Sequence, residues 1–175
     1  YEDIYVTYKK DGRWTNPRNF GRPINSKKHD ATAGLAPDGQ KLYVYQPNNG
    51  GDIYVCKLKR DKWSSPRDLP NSINTSYHEE SASLSPSGNL LYFSSDREGG
   101  YGEHDIYTVT KNVRGKWRDA VNIGNVINTP FDERSVFIHP DGRTLFFSST
   151  GHNSMGGYDI FKSVRDEQGN CSTPE

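Results

Sequence analysis

The chain has few cysteines, no long apolar run and no net charge, and each of these absences excludes a class of protein. Its two cysteines, Cys56 and Cys171, form neither a metal-binding spacing nor a disulfide framework, so we expect two buried or half-buried thiols. No apolar stretch approaches the roughly 18 residues of a membrane-spanning helix, which predicts no direct membrane insertion. Lysine plus arginine equals aspartate plus glutamate, at 22 each, which argues against nucleic acid as a partner. No secretory leader begins at Tyr1, so we expect any export signal to lie outside these residues or to have been removed.

Hydrophobic residues are also scarce, but aromatic residues are not. The mean hydropathy is -0.92 and hydrophobic residues make up 31% of the chain, yet aromatic residues reach 12%. A disordered chain of this polarity would lack the aromatic residues. With 17 glycines and 10 prolines, the composition predicts many short strands joined by solvated loops.

A repeat of about fifty residues organises the whole chain. Its clearest marker is an Asp-Ile-aromatic triplet whose copies begin 49, 53 and 54 residues apart. The triplets begin at Asp3, Asp52, Asp105 and Asp159. The tryptophans Trp14, Trp63 and Trp117 keep the same register, as do the Ile-Asn pairs that begin at Ile24, Ile73 and Ile127. A period of this length identifies a solenoid or a propeller.

Each repeat resolves into four strands, named A to D. Strand A is predicted at 31–36, 80–85 and 134–139, and a Pro-x-Gly hairpin turn leads from it to an aromatic strand B. The triplet opens strand C, and strand D starts at the tryptophan. Two of the D strands contain Pro17 and Pro66, which places D at the outer edge of its sheet. The predicted fold class is therefore all-β, a β-propeller segment of four-stranded antiparallel blades.

Both ends of the chain fall inside a repeat, so about three and a half blades are expected. We predict one propeller region, 1–175, divided into a partial blade with strands C and D at 1–23, blades at 24–72 and 73–126, and a blade with a truncated last strand at 127–175. Propellers typically close with about 4–8 blades. We therefore expect the remaining blades to come from the same longer chain or from another copy.

The strongest family resemblance lies in the second full repeat. Residues 85–97 read SPSGNLLYFSSDR and are followed by Asp105-Ile106-Tyr107. This string resembles the TolB-type, WD-like β-propeller repeat, which combines an SPDG turn, an LYFSSDR strand and a DIY strand. The linking segments INTSYHEE and INTPFDER resemble the version found in Bacteroidota envelope proteins. There, such a propeller often precedes an OmpA-like peptidoglycan-binding domain, as in the peptidoglycan-associated lipoprotein of the type IX secretion system.

This resemblance implies a location and a role, and it carries over no catalytic residue. It implies a periplasmic or outer-membrane-associated protein of the bacterial cell envelope, with a non-catalytic scaffold role and protein partners in a secretion or peptidoglycan-anchoring assembly. Two alternatives stay open. One is a propeller that binds a carbohydrate or peptidoglycan fragment, and the other is the gating propeller of a peptidase or hydrolase.

The order of the strands predicts which loops share a face. Since strands run up and down in order, the D-to-A and B-to-C connections emerge together on one face, here called the top face. Long loops, aromatic residues and ionisable groups concentrate there, which is typical of a binding surface. The candidate partner surface consists of Tyr77, His78, Glu80, Arg97, Tyr101, Glu103, His104, Phe131, Arg134, His152, Met155 and Tyr158.

Three carboxylates at one repeat position allow two interpretations. Asp30, Glu79 and Glu133 precede strand A, near the mouth of the central channel. They form either a ligand or cation site, or structural acceptors of backbone N–H groups that tether adjacent blades, and their recurrence in every unit favours the second. Arg97 is expected to pair with a carboxylate such as Asp105 within its own loop.

Neither a metal, a cofactor nor a catalytic site is predicted. The five histidines include no pair at the i, i+4 spacing of a helical metal site, and residues 96–103 lack the alternating oxygen ligands of a calcium loop. There is no G-x-S-x-G elbow. Two carboxylates across a pocket would suit a glycosidase, but Glu79 and Glu133 are the repeat-wide residues already interpreted as structural.

Overall fold

A computed structural model describes residues 2–175 and shows an all-β chain. The first unit contributes β1 Tyr5–Val6, β2 Lys9–Lys10, β3 Arg13–Trp14 and β4 Arg18–Asn19. The second contributes β5 Ala31–Leu35, β6 Lys41–Gln46, β7 Asp52–Lys59, β8 Lys62–Trp63 and β9 Arg67–Asp68. The third contributes β10 Glu79–Leu84, β11 Leu90–Ser95, β12 Asp105–Thr110 and β13 Val121–Asn122. The fourth contributes β14 Glu133–Ile138, β15 Thr144–Ser149 and β16 Asp159–Val164.

Within each sheet the antiparallel strands follow chain order. The orders are β5-β6-β7 with β8 and β9 both on β7, then β10-β11-β12-β13, then β14-β15-β16. At the last sheet the backbones of Lys162 and Glu175 exchange two hydrogen bonds of 2.8 and 3.0 Å, which begins a fourth strand. The predicted fold class, a propeller segment of antiparallel sheets, is confirmed. No helix among residues 2–175 has the length and hydropathy needed to cross a bilayer.

The hairpins form where the sequence places Pro-x-Gly. Gly39, Gly88 and Gly142 adopt φ values of 66°, 70° and 71°, in the left-handed region that glycine enters without strain. In the third unit, Gly88 N donates to Ser85 O at 2.8 Å and closes the turn between β10 and β11. These turns set the register of strands A and B.

The fourth strand of a unit is broken, whereas the sequence predicted a continuous strand from the tryptophan. Trp63 pairs with Leu58 at the far end of β7, and Asp68 pairs with Tyr54 near its start. Pro66 lies between the two short strands and has no N–H to donate, so the ladder is interrupted there.

Alternate residues of each central strand pack against different neighbouring sheets. In β11, Leu91 and Phe93 belong to one buried cluster, while Tyr92 belongs to the next. This period of two is the side-chain alternation of a strand that is covered on both faces. Burying each such side chain contributes about 1.5–3 kcal/mol, so the sheets are held together mainly by apolar packing.

A buried asparagine connects each sheet to the one before it. Asn74 bonds both the N–H and the C=O of Ile53, and Asn25 and Asn128 do the same to Ile4 and Ile106. The Ile-Asn pair that opens each repeat thus packs on the preceding sheet. The division of the chain at residues 24, 73 and 127 stays a prediction.

The last sheet, β14-β15-β16, exposes on its outer face the repeat positions that are buried in the preceding sheets. Ile53 and Ile106 are fully buried, but Ile160 at the same repeat position is 79% exposed. Phe137, on strand A of the same sheet, is 48% exposed. This face matches the surfaces on which the following sheets pack elsewhere in the chain.

Candidate functional site

The loops of the top face interlock between consecutive units. Glu79 N donates to Gly51 O at 2.9 Å, and Glu133 N donates to His104 O at 2.8 Å. Glu103 N donates to Phe131 O at 3.2 Å. In each case a B-to-C loop meets the D-to-A connection of the next unit, as the strand order predicts.

Seven side chains from three units meet at the channel end of this face, and we call them the mouth network. They are Tyr45, His78, Glu80, His104, Asp132, Arg134 and Tyr158. His78 Nε2 lies 3.2 Å from Tyr45 Oη, and His78 Nδ1 lies 3.1 Å from His104 Nε2. The two imidazole rings are nearly perpendicular, at 87°, with centroids 5.3 Å apart. When one of the two facing nitrogens, His78 Nδ1 or His104 Nε2, carries a proton, the contact is a hydrogen bond.

At the other end of the network a carboxylate and a guanidinium share one imidazole nitrogen. His104 Nδ1 lies 3.1 Å from Asp132 Oδ1 and 3.0 Å from an Nη atom of Arg134. Arg134 also bonds Asp132 at 3.3 Å and Glu80 at 3.4 Å, and its guanidinium lies over the Tyr158 ring. Burial opposes ionisation of Asp132, but bonds from Tyr158 and Arg134 outweigh it and hold the pKa of that carboxyl below its usual range.

The network occupies repeat positions whose residue types differ between units. The residue before strand C is Glu2, Gly51, His104 or Tyr158, and the residue before the recurring carboxylate is His29, His78 or Asp132. Members of the two sets face each other at each junction: Glu2 and His29 at 3.6 Å, Gly51 against the His78 ring, and His104 and Asp132 at 3.1 Å. The scaffold therefore repeats while the chemistry at the mouth changes.

A cavity of about 710 Å³ opens beneath the mouth network. Its walls are the A strands β5, β10 and β14, with small residues such as Ala33, Gly34 and Ala82. Tyr45, His78 and Glu80 stand at its rim. Burial and the charge of Glu80 raise the pKa of Tyr45, so its hydroxyl stays neutral at the rim.

The recurring carboxylates bind the connection that leads into their own strand A. Glu79 accepts from the N–H and hydroxyl of Thr75 at 2.9 and 2.7 Å and from Ser95 Oγ at 2.7 Å. Asp30 and Glu133 bind their units in the same way. They accept backbone N–H bonds from the turn four residues earlier. Whether their side chains also tether adjacent blades stays a prediction.

Arg97 is a structural residue of its unit, and its predicted pairing with Asp105 is wrong. It bonds Glu79 at 3.2 Å and the carbonyl of Ile73 at 2.6 Å. Its guanidinium lies over the rings of Phe93 and Tyr107, 4.8 and 4.9 Å from their centroids. Asp105 is instead engaged by backbone N–H groups of its own loop. Arg97 therefore does not belong to the exposed surface.

The other predicted surface residues divide into packed and exposed groups. His152 packs against Phe147 and Phe161 and bonds Ile127 O at 2.7 Å, so it supports its loop. Tyr77 is half-buried and hydrogen-bonds Glu98. The exposed group consists of Tyr101, Glu103, Phe131, Met155 and Tyr158. Whether this group binds a partner stays a prediction.

Two members of the mouth network, Tyr45 and Asp132, are missing from the predicted surface. The sequence does signal Tyr45, because the residue type at its repeat position differs between units: the equivalent residues are Ser94 and Ser148. Asp132 stands directly before the recurring Glu133, at a position that holds histidine in the other units, His29 and His78. A position-by-position comparison of the repeats would have found both.

Within residues 2–175 no group of three or more His, Cys, Asp or Glu side chains is arranged to hold a metal ion. The two histidines of the network face each other and Asp132 faces only one of them. The geometry is that of a hydrogen-bonded chain.

Comparisons with known proteins give structural neighbours only. No family model matches the sequence, and no curated protein matches it. The putative TolB from Agrobacterium tumefaciens is similar in structure, with a TM-score of 0.59 and 18% identity over 97% of this chain and 59% of that chain. TolB from Acinetobacter baumannii has a TM-score of 0.55 and 17% identity over 90% of this chain and 34% of that chain.

A third neighbour is an enzyme, the GH93 alpha-L-arabinofuranosidase of Fusarium graminearum. It has a TM-score of 0.49 and 14% identity over 96% of this chain and 56% of that chain. The chain thus spans less than two thirds of each of these proteins. At these identities the likeness describes the fold: the chain has a TolB-like β-propeller fold.

Proposed function

We propose that this chain is a non-catalytic interaction propeller of a bacterial cell-envelope protein, which binds a protein partner on its top face. The observation that carries the proposal is that the loops of this face hold exposed aromatic side chains around a polar mouth. Tyr101 and Phe131 are 51% and 57% exposed, although their own loops are tied together by the bond from Glu103 N to Phe131 O. Aromatic side chains held on ordered loops anchor interfaces at low entropic cost.

The mouth network supports binding over catalysis. His104 and Asp132 have the geometry of a base and the group that orients it, but a nucleophile would have to face His104 Nε2. That nitrogen bonds His78. Glu79 and Glu133 are fully buried and saturated with hydrogen bonds, so they do not form the open carboxyl pair of a glycosidase.

The envelope location and the scaffold role rest on the TolB-like fold together with the repeat resemblance. We propose a periplasmic or outer-membrane-associated location, in a secretion or peptidoglycan-anchoring assembly. A carbohydrate or peptidoglycan fragment is the second candidate ligand, because exposed aromatic rings also stack on sugars. The gating propeller of a hydrolase is the third alternative.

Photo-crosslinking tests the proposal. We would place benzoylphenylalanine at Phe131 and, as the matched control, at Val113, an exposed residue of the C-to-D turn on the opposite face. Both variants would be incubated with envelope extract and the adducts identified by mass spectrometry. We expect one defined protein adduct at position 131 that Tyr101→Ser suppresses. Equal labelling at both positions would reject the top face as the binding surface, and selective protection by soluble peptidoglycan fragments would favour the glycan alternative.

A further inference from the structure

One repeat differs from the others where strand D meets the start of strand C. Asn19 and Asn122 each donate an amide hydrogen to the triplet aspartate of the same sheet, Asp3 at 2.7 Å and Asp105 at 2.8 Å. In the unit with β5–β9, the equivalent residue is Asp68.

The backbone register shows that Asp68 occupies the asparagine position. Asn19 pairs with Tyr5, Asp68 with Tyr54 and Asn122 with Tyr107, each time the second residue after the triplet aspartate. Asp68 therefore places a carboxyl group, exposed and hydrogen-bonded by Tyr54, at the position from which the other units provide an amide donor to the triplet aspartate.

The surroundings of this carboxyl pair offer fewer donors than those of the asparagines. Asn19 and Asn122 each accept an N–H from a glycine two residues later, at 2.8 and 2.9 Å, whereas Asp68 is followed there by Pro70, which has no N–H. Asp105 accepts N–H bonds from Tyr101 and Gly102 of its long loop. The short loop 47–51 provides no such bond to Asp52 Oδ1, which is buried without a hydrogen-bond partner among the described residues.

The charges around Asp52 make its ionised form costly. Only 6% of Asp52 is exposed, and the charged groups that act on it are Glu79 and Asp68, both negative. The remaining titratable neighbours are the hydroxyls of Tyr45 and Tyr54, and Tyr54 also hydrogen-bonds Asp68. Burial, with these two charges, raises the pKa of Asp52 to about 6.

We propose that Asp52 takes up a proton beside the Asp68 carboxylate and forms a pH-sensitive switch in this unit. In weakly acidic solution a proton taken up from solvent removes the repulsion between the two groups and makes Asp52 a donor, as the amide is in the other units. At higher pH the proton is lost, the carboxylates repel and the contact between β7 and β9 weakens. Asp52 follows Gly51, whose carbonyl binds Glu79 and which packs on the His78 ring. A weaker contact between β7 and β9 would therefore loosen Gly51 and, through it, the His78 ring of the mouth network.

The direction of the pH effect follows from linkage. A carboxyl whose pKa is higher in the folded than in the unfolded chain binds its proton more tightly when folded. The stabilisation is therefore complete below pH 4 and is lost as the pH rises from about 4 to about 6. The wild-type chain should be less stable at pH 8 than at pH 5 through this site.

Asp68→Asn tests the switch, because it restores the residue of the other units. We expect the melting temperature of Asp68→Asn to exceed that of the wild type by about 3 °C or more at pH 8 and by much less at pH 4.5. Asp61→Asn, in an exposed turn, removes the same charge and should follow the wild type at every pH. Parallel curves for wild type and Asp68→Asn would overturn the proposal.

Selective labelling reads the proton directly. In protein labelled with ¹³C-aspartate, the Asp52 carboxyl signal should titrate in the weakly acidic range, and in Asp68→Asn it should titrate at lower pH. Titration of Asp52 in the ordinary aspartate range in both proteins would reject proton uptake by Asp52. So would calcium stabilisation at pH 8 that is present in the wild type and lost in Asp68→Asn, since that would assign the pair to a cation.

Discussion

The side-chain amide of Asn74 spans both main-chain groups of Ile53, accepting from its N–H at 3.1 Å and donating to its C=O at 2.9 Å. Because both residues are buried, water cannot replace these bonds. Asn25 and Asn128 repeat the arrangement, so it is a recurring polar connection between consecutive sheets.

Asn74→Ala should therefore destabilise the fold more than an ordinary polar substitution. It leaves a buried donor and a buried acceptor unpaired, at about 1–3 kcal/mol each, so we expect a loss of about 2–4 kcal/mol in the free energy of unfolding. Urea denaturation measures it. Asn71→Ala, at an exposed position of the same connection, should change stability by less than about 0.5 kcal/mol. Similar values for the two variants would contradict the role of Asn74.

Arg97→Met should destabilise the fold, because it leaves the buried carboxylate of Glu79 without its ion-pair partner. Glu79 is fully buried, and removing its only ion-pair partner among the described residues should cost about 3–5 kcal/mol. Adding Glu79→Gln to that variant should recover part of the loss, because no buried charge then remains. Thermal denaturation of the single and double variants, with the exposed Arg114→Met as control, distinguishes this result from a simple loss of packing.

Gly51→Ala should disturb the mouth network, whereas Gly39→Ala should not. Gly51 adopts φ 125°, and a methyl group there would collide with the His78 ring and contact Tyr45. Gly39 has φ 66° and no heavy atom within 4 Å of an added Cβ, so only backbone strain of about 1 kcal/mol is expected. The imidazole NMR signals of His78 should shift in Gly51→Ala alone. Unchanged signals in both variants would contradict the packing of Gly51 on His78.

Asp132→Asn should reduce the acid sensitivity of the chain. The pKa of Asp132 is depressed by its bonds, so the carboxylate contributes stability at pH values above its ordinary 3.8. This contribution is lost as the pH falls through the lower pKa of the folded state. Melting temperatures from pH 7 to pH 2.5 should converge for wild type and variant at the acid end and differ at pH 7. A constant difference over that range would show that Asp132 acts only through packing.

The two thiols should differ in reactivity. Burial raises the pKa of Cys56 to about 11, and the side chain has no exposed surface. A disulfide reagent at pH 8 should modify the half-buried Cys171 in the native protein and reach Cys56 only after unfolding. Rapid modification of Cys56 under native conditions would show that β7 opens locally.

The sequence predicts the scaffold well because the repeats constrain it several times over. Strand β6 begins and ends where the aromatic run does, at Lys41 and Gln46, and the Pro-x-Gly turns lie where expected. Strand D was predicted less accurately, since the effect of Pro66 on the ladder depends on which N–H groups the sheet uses.

The candidate site was predicted only in part, because it depends on contacts between units. The pattern placed His78, His104 and Arg134 on one face, but it could not show that His104 is buried between Asp132 and His78. Arg97 looked like a loop residue and proved to be the partner of Glu79, 18 residues earlier. Such pairings form between loops that are distant in sequence, and no repeating pattern of residues marks which side chains will meet.

The hydrogen-bonded chain from Tyr45 to Asp132 makes three units depend on one another. A neutral imidazole donates through one nitrogen and accepts through the other, so His78 and His104 must point their protons in the same direction. When Arg134 donates to His104 Nδ1, the protons run toward Tyr45; when His104 donates to Asp132, they run away from it. A ligand that favours one arrangement at one unit therefore sets the direction of every hydrogen bond in the chain. The top face thus has two alternative hydrogen-bonding patterns on a single backbone.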